Sequence, residues 1–237
     1  MLRVCIFEHV PFEELGSIES WLKGKNAQVD FCRVYAKDPL PIIEKYELFI
    51  FLGGSMSAND ERHYPWLVEE KTYIRELVAL NKAVIGICLG AQIIADAMGG
   101  RVYHNYTNEI GWFDVHLNPE AGNPLQLPET MTVFHWHGET MELPPQAKLL
   151  ASSQQCHNQV YLLNERVLGT LCHFEATRES TYSTLLHCMD ELSGETGSFV
   201  QDSEEIQSQS DEHYEQMTEW MFRILDFVTR SLDDATN

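Results

Sequence analysis

Cys88 lies between two glycines, in Gly86-Ile87-Cys88-Leu89-Gly90, where an apolar run gives way to a helix-like one. The pattern predicts a short buried strand over 83–87 and a helix over 91–98 closed by Gly99-Gly100, with the cysteine on the turn between them. A glycine two residues to either side of a nucleophile marks a strand–elbow–helix turn, here with a thiol in place of a serine hydroxyl. Such a turn strains the nucleophile's backbone, and a side chain at either glycine would crowd it. The helix that follows directs its N-terminal N–H groups and the positive end of its dipole at the sulfur, which favours negative charge there. For the pentapeptide alone, a buried core cysteine in an ordinary turn is the alternative.

A second apolar run, 167–172, leads into His173-Phe174-Glu175. Side chains alternate along a strand, so a histidine and a carboxylate two residues apart point the same way at its end. A carboxylate so placed holds an imidazole in one tautomer and one orientation. Cys88 as nucleophile, His173 as base and Glu175 as orienting group form a complete set for acyl transfer. Singly, His173 reads as a core histidine and Glu175 as a solvated strand end; together, behind a cysteine elbow, they point to catalysis. The reaction passes through a tetrahedral oxyanion that needs two fixed N–H donors. Leu89, the residue after the nucleophile, supplies one by geometry. The loop Gly53-Gly54-Ser55, after a strand-like run over 48–52, is placed to supply the other, because open α/β sheets bind ligands at such strand ends. Read otherwise, the loop is a phosphate cradle, for which it lacks the lysine, or a simple turn.

Five segments occur in an order that resembles the class I, triad-type glutamine amidotransferases, nearest the glutaminase half of GMP synthase and its free-standing relatives. They are Leu52-Gly53-Gly54-Ser55-Met56-Ser57, Gly86-Ile87-Cys88-Leu89-Gly90-Ala91-Gln92, Asn108-Glu109-Ile110-Gly111, His135-Trp136-His137-Gly138-Glu139 and the stretch 169–175. The resemblance runs from residue 2 to about 192. It implies an open, mostly parallel twisted sheet with helices on both faces, flavodoxin-like, plus a smaller β-rich insertion. It further implies that Gly54 is the second oxyanion donor. Gln92 and the backbone around Trp136, His137 and Gly138 would hold the α-amino and α-carboxylate groups of glutamine, with Glu109 adding a charge. Two positions depart from the family pattern in the last segment, where Leu171 replaces Gln and Phe174 replaces Pro; both spare the histidine and glutamate. Glu139 in place of Asp lengthens a charged arm, and Trp136 sets a bulky ring beside the pocket.

Strand-like runs at 2–7, 28–33, 48–52 and 83–87 alternate with helix-like runs at 16–23 and 66–80, the pattern of a parallel sheet covered on both sides. In the second helix Leu67, Ile74, Leu77, Val78 and Leu80 fall near one face. From 102 to 172 the pattern changes to short β-like runs at 113–117, 132–135, 159–163 and 167–172, separated by Asn-Pro and Pro-Pro turn signals. A helix over 177–192, a polar mobile connection over 193–210 and an amphipathic helix over 211–232 complete one domain, 1–237. Met217, Trp220, Met221, Ile224, Leu225 and Phe227 form the last helix's apolar stripe.

With 237 residues and 44% hydrophobic composition the chain can bury a substantial core. A formal net charge of −20 argues against nucleic-acid binding, which needs a basic face. The acidic excess near the C-terminus reads as a solubilising surface or as a docking face for a basic partner. No apolar run reaches the roughly 18–20 residues of a membrane span, and the first residues do not form a signal peptide. The six cysteines show no C-x-x-C pair, so a reduced, cytoplasmic protein is expected. His135 and His137 form an H-x-H pair, but no third ligand recurs at metal-site spacing, so neither metal nor cofactor is expected. The resulting expectation is hydrolysis of the γ-carboxamide of glutamine through a γ-glutamyl thioester, with ammonia passed to an acceptor or a separate synthetase subunit. A stand-alone γ-glutamyl peptidase is the alternative, and a non-hydrolytic, DJ-1-like redox sensor is a third; the latter leaves the His173/Glu175 pair without a use.

Overall fold

Leu48, Phe49, Ile50 and Phe51 are all fully buried, an unbroken apolar run of the kind required where a strand is covered on both faces. The computed structural model describes residues 1–192 and 197–233. Its strands are β1 (Arg3–Glu8), β2 (Gln28–Arg33), β3 (Leu48–Phe51), β4 (Ala83–Ile87), β5 (Arg101–Leu117), β6 (Thr130–Glu142), β7 (Lys148–Ser153), β8 (Val160–Asn164) and β9 (Val167–Thr170). The helices are α1 (Ile18–Gly24), α2 (Trp66–Ala79), α3 (Leu89–Ala97), α4 (Arg178–Leu192), α5 (Ser203–Gln207) and α6 (Asp211–Asp233).

All nine strands join one open sheet in the order β2-β1-β3-β4-β9-β8-β7-β5-β6. Neighbours from β2 to β9 run parallel, and those from β9 to β6 antiparallel. The parallel half is the helix-covered α/β sheet that the alternating runs predict. The β-rich middle of the chain extends that same sheet.

Period-two alternation divides the core. Val4, Ile6, Ile50 and Ile85 face α1 and α6, whereas Cys5, Phe7, Phe49 and Val84 face α2 and α3. On α6, Met217, Trp220, Met221, Ile224 and Leu225 of the predicted stripe are buried in the core, whereas Phe227 is half-buried against it and Val228 is fully buried beside it. On α2 the apolar face is Leu67, Ile74 and Leu77; Leu80 lies past the helix end and is exposed, because the chain turns at Asn81 with positive φ. Among the described residues no helix is long and apolar enough to cross a membrane.

Three stretches differ from the sequence reading. The runs at 113–117 and 132–135 are parts of a long hairpin, β5 with β6, in which Glu109 lies opposite His137 and Gly111 opposite His135. Strand β7 carried no alternation to announce it; only Leu150 and Ala151 are fully covered. Strand β9 stops at Thr170, so His173 lies beyond the strand rather than at its end. It is placed instead by its own N–H, which donates to the Phe134 carbonyl at 2.8 Å.

Of the polar connection over 193–210, residues 193–196 lie outside the described residues. The remainder is tied to β5: the Ile110 N–H donates to Phe199 O (2.8 Å) and the Gln201 N–H to Ile110 O (2.9 Å). Asp202 and Glu205 then form a reciprocal capping box on α5.

Candidate active site

Cys88 occupies the turn between β4 and α3 with φ 49° and ψ −109°, a conformation that non-glycine residues rarely adopt. The Cys88 N–H donates to Thr170 O (2.8 Å) and the Gly90 N–H to Leu52 O (3.1 Å), so β9 and β3 clamp the elbow from either side. Its glycines are sterically required. A methyl group on Gly90 would strike the Phe51 carbonyl, and one on Gly86 would come within 2.6 Å of the Gly90 carbonyl carbon and of Ile94 Cδ1. The sulfur lies 3.8 Å from the Trp136 carbonyl oxygen.

His173 and Glu175 meet as the sequence predicts, with Nδ1–H donating to Glu175 Oε1 at 2.6 Å and both side chains nearly buried. The Glu175 carbonyl accepts from the Ser17 N–H (2.8 Å), which ties the pair to the start of α1. Burial opposes a charge on His173, but the Glu175 carboxylate and the Cys88 sulfur outweigh it, and the imidazole pKa is raised well above its ordinary value. The second ring nitrogen, Nε2, has no hydrogen-bond partner among the described residues.

Cys88 and His173 open onto a cleft of about 270 Å³ at the C-terminal ends of the parallel strands, where open α/β sheets place ligands. Gly54, Gln92, Trp136, His137 and Gly138 line it. The Gln92 amide donates to the Glu139 carbonyl at 3.3 Å. Gly54 packs on Leu89; a methyl group there would come within 2.9 Å of the leucine Cδ2, so the two candidate oxyanion donors are neighbours across the turn.

Glu109 is not in the cleft. It is fully buried beneath it, where Oε2 lies 3.4 Å from His135 Nδ1, 3.2 Å from His137 Nε2 and 2.7 Å from the Gln159 amide nitrogen. Burial works against the Glu109 charge, yet the two histidines outweigh it and hold the carboxyl well below its usual range. His137 is shifted down, by burial first and by its neighbour His135.

The fold therefore supplies the third candidate ligand that the H-x-H pair lacked in sequence, with the three ligand atoms within 4.8 Å of one another. The far ring nitrogens, His135 Nε2 and His137 Nδ1, have no partners among the described residues. Coordination through the near nitrogens would leave two buried N–H groups unpaired. Donation of both near N–H groups to Glu109 leaves only bare lone pairs, the less costly arrangement. The cluster suits a hydrogen-bonded carboxylate better than a metal centre.

Two residues about the site, Glu13 and Gln159, carried no sequence signal, whereas Glu139 was read there as a charged arm. Glu13, from the loop before α1, abuts Gly53. Although only half-buried, its carboxyl is pushed up by the surrounding protein, with the charge of His173 acting in the opposite sense. Glu139 also lines the cleft, and one of its carboxylate oxygens accepts from the Ser57 hydroxyl at 3.0 Å. Gln159 reaches the buried cluster from the residue before β8. These residues converge only through long-range pairing, which no local motif encodes.

The family model described as glutamine amidotransferase class-I matches residues 17–188. The chain is 32% identical to the glutamine amidotransferase-like protein YfeJ of Salmonella typhimurium, over 96% of this chain and 98% of that one. It is 31% identical to γ-glutamyl peptidase 4 of Arabidopsis thaliana, over 60% of this chain and 59% of the other. The crystal structure of a glutamine amidotransferase from Methylobacillus flagellatus superposes with a TM-score of 0.91 at 30% identity, covering 97% of this chain and 95% of that one.

Proposed function

The chain belongs to the glutamine amidotransferase class I family of enzymes, and on that premise we propose that it hydrolyses the γ-amide bond of glutamine by way of a thioester on Cys88. The observation that carries this reading is the His173–Glu175 pair, locked at 2.6 Å in the cleft that Cys88 enters from a strained elbow.

In this reading His173 Nε2 takes the thiol proton as the Cys88 sulfur attacks the carbonyl carbon of the γ-carboxamide, and the Leu89 and Gly54 N–H groups hold the oxyanion. As the tetrahedral intermediate collapses, the C–N bond breaks and the departing nitrogen takes a proton from His173 Nε2. Water then attacks the thioester, His173 accepts its proton, and glutamate leaves as the thiol is restored. Glu175 keeps Nδ1 protonated and the ring oriented throughout. Gln92 and the backbone at Trp136, His137 and Gly138 bind the amino-acid end. Glu13 and Glu139 offer negative charge to an α-ammonium group. Glu109 acts from below by fixing His137. The ammonia goes to water or to a separate synthetase subunit.

Hydrolysis of a γ-glutamyl peptide is the second reading, favoured by the likeness to a γ-glutamyl peptidase. Both require Cys88. The test is turnover of L-glutamine and of γ-glutamyl peptides by wild-type and Cys88→Ala protein. Cys88-dependent release of glutamate is the expected result. Turnover by Cys88→Ala at the wild-type rate would overturn both readings.

A further inference from the structure

His9, the residue after β1, is fully buried and has no place in the chemistry above. Its ring bridges two acceptors: Nε2 lies 2.9 Å from Glu70 Oε1, and Nδ1 lies 3.1 Å from the carbonyl oxygen of Gly53. A carboxylate and a peptide carbonyl can only accept, so both ring nitrogens must carry protons and the imidazole is a cation. Burial alone would discharge it, but Glu70, together with the Gly53 and Leu52 carbonyls, prevails and the pKa is raised.

Trp66 and Glu70 sit four residues apart on α2 and so share one helix face. The first stacks on the His9 ring, with centroids 5.5 Å apart, and the second accepts the hydrogen bond from its Nε2–H. A fully buried ion pair contributes less to stability than apolar packing of the same volume would. What it touches gives it a use.

The Gly53 carbonyl and the Gly54 N–H belong to the same planar, trans peptide unit and point in opposite directions. Glycine on both sides leaves that unit free to rotate. A donor that holds the oxygen from behind therefore fixes the hydrogen on the cleft side. A cationic donor also polarises the amide and strengthens its N–H. We propose that His9, held by Glu70, is a positioning residue that orients and polarises the Gly53–Gly54 peptide so that the Gly54 N–H faces the oxyanion. This rests on the reading of Gly54 as an oxyanion donor.

The experiment compares His9→Phe, which keeps a ring on Trp66 but no donor, with His9→Asn, which restores a donor near the Nδ1 position, and with Glu70→Gln. γ-Glutamyl-p-nitroanilide is the substrate, and the rate of Cys88 alkylation by iodoacetamide is measured alongside. Alkylation passes through no oxyanion, so it reports the thiol and the integrity of the elbow separately. For His9→Phe, kcat should fall about 30- to 100-fold, somewhat less than removal of an oxyanion donor outright, with KM and the alkylation rate within about threefold of wild type. His9→Asn should recover about tenfold of that loss, and Glu70→Gln should cost about tenfold in kcat alone.

A folded His9→Phe with wild-type kcat overturns the inference, as does a loss of kcat that tracks a loss of alkylation. If His9→Phe does not fold, Glu70→Gln decides: unchanged kcat overturns the inference. Absence of Cys88-dependent turnover in the wild type, judged against Cys88→Ala, removes the functional reading itself and is thereby told apart from failure of the His9 role alone.

Discussion

At the scale of single residues, the site is an exercise in forced geometry. Cys88 keeps a backbone conformation that costs on the order of 1–3 kcal/mol, and two peptide hydrogen bonds from neighbouring strands hold it there. The glycines on either side were legible in the sequence because their spacing about the cysteine is a local pattern, although Gly90 is required by Phe51 of the neighbouring strand β3 and only Gly86 by the turn itself. His173 and Glu175 were legible for the same reason, being two residues apart, although β9 ends before them and a single hydrogen bond to Phe134 does the placing. If His173 moves the proton, His173→Gln should lower kcat by about 10³-fold with KM nearly unchanged, in the range for removal of a positioned acid–base group. Steady-state kinetics on γ-glutamyl-p-nitroanilide checks this; a loss confined to KM would assign His173 to binding instead.

At the scale of elements, what the sequence hid is a matter of register. Glu109 and His137 are 28 positions apart and face each other only because β5 pairs with β6 as it does; Gln159 joins them from the start of β8. This cluster has a consequence for acid stability. The His137 pKa is depressed in the folded protein, so below about pH 6.5, the ordinary value, the unfolded chain binds a proton that the folded one refuses. Stability therefore falls as pH drops through that range. The raised values of His9 and His173 contribute stability that is complete below the same pH and fades above it, so the wild-type profile mixes opposite senses. The difference between wild type and His137→Gln isolates the cluster. The thermal midpoint of the variant should fall less between pH 7 and pH 5 than that of the wild type. A difference of 1 kcal/mol shifts the midpoint of a chain this size by roughly 2–4 °C, which calorimetry resolves. Parallel profiles would show that the cluster does not couple to protonation.

At the scale of the whole molecule, one sheet carries both the parallel half that builds the elbow and the antiparallel half that supplies the opposite wall of the cleft. Helix α6 closes the core beneath α1, and Met221 on it is fully buried. Met221→Ala should cost about 2–5 kcal/mol, as cavity-forming core substitutions do, and should leave kcat unchanged in the folded fraction. A loss below 1 kcal/mol by denaturant titration would place α6 outside the cooperative core. The alternating runs and the apolar stripe of α6 were readable from periodicity. Strand β7 was not, because its short, half-covered side chains alternate too weakly. The acidic tail was read only as charge, yet Asp202 and Glu205 cap α5, a local role that bulk composition conceals. In the proposed reading this arrangement delivers a γ-glutamyl group to one sulfur atom. Intact-mass analysis of protein quenched within the first turnover on γ-glutamyl-p-nitroanilide, set beside the amplitude of p-nitroaniline release, tests that most directly. The account predicts a γ-glutamyl adduct that maps to Cys88, a stoichiometric burst of p-nitroaniline, and neither in Cys88→Ala. Sustained turnover with no adduct at Cys88 would contradict it.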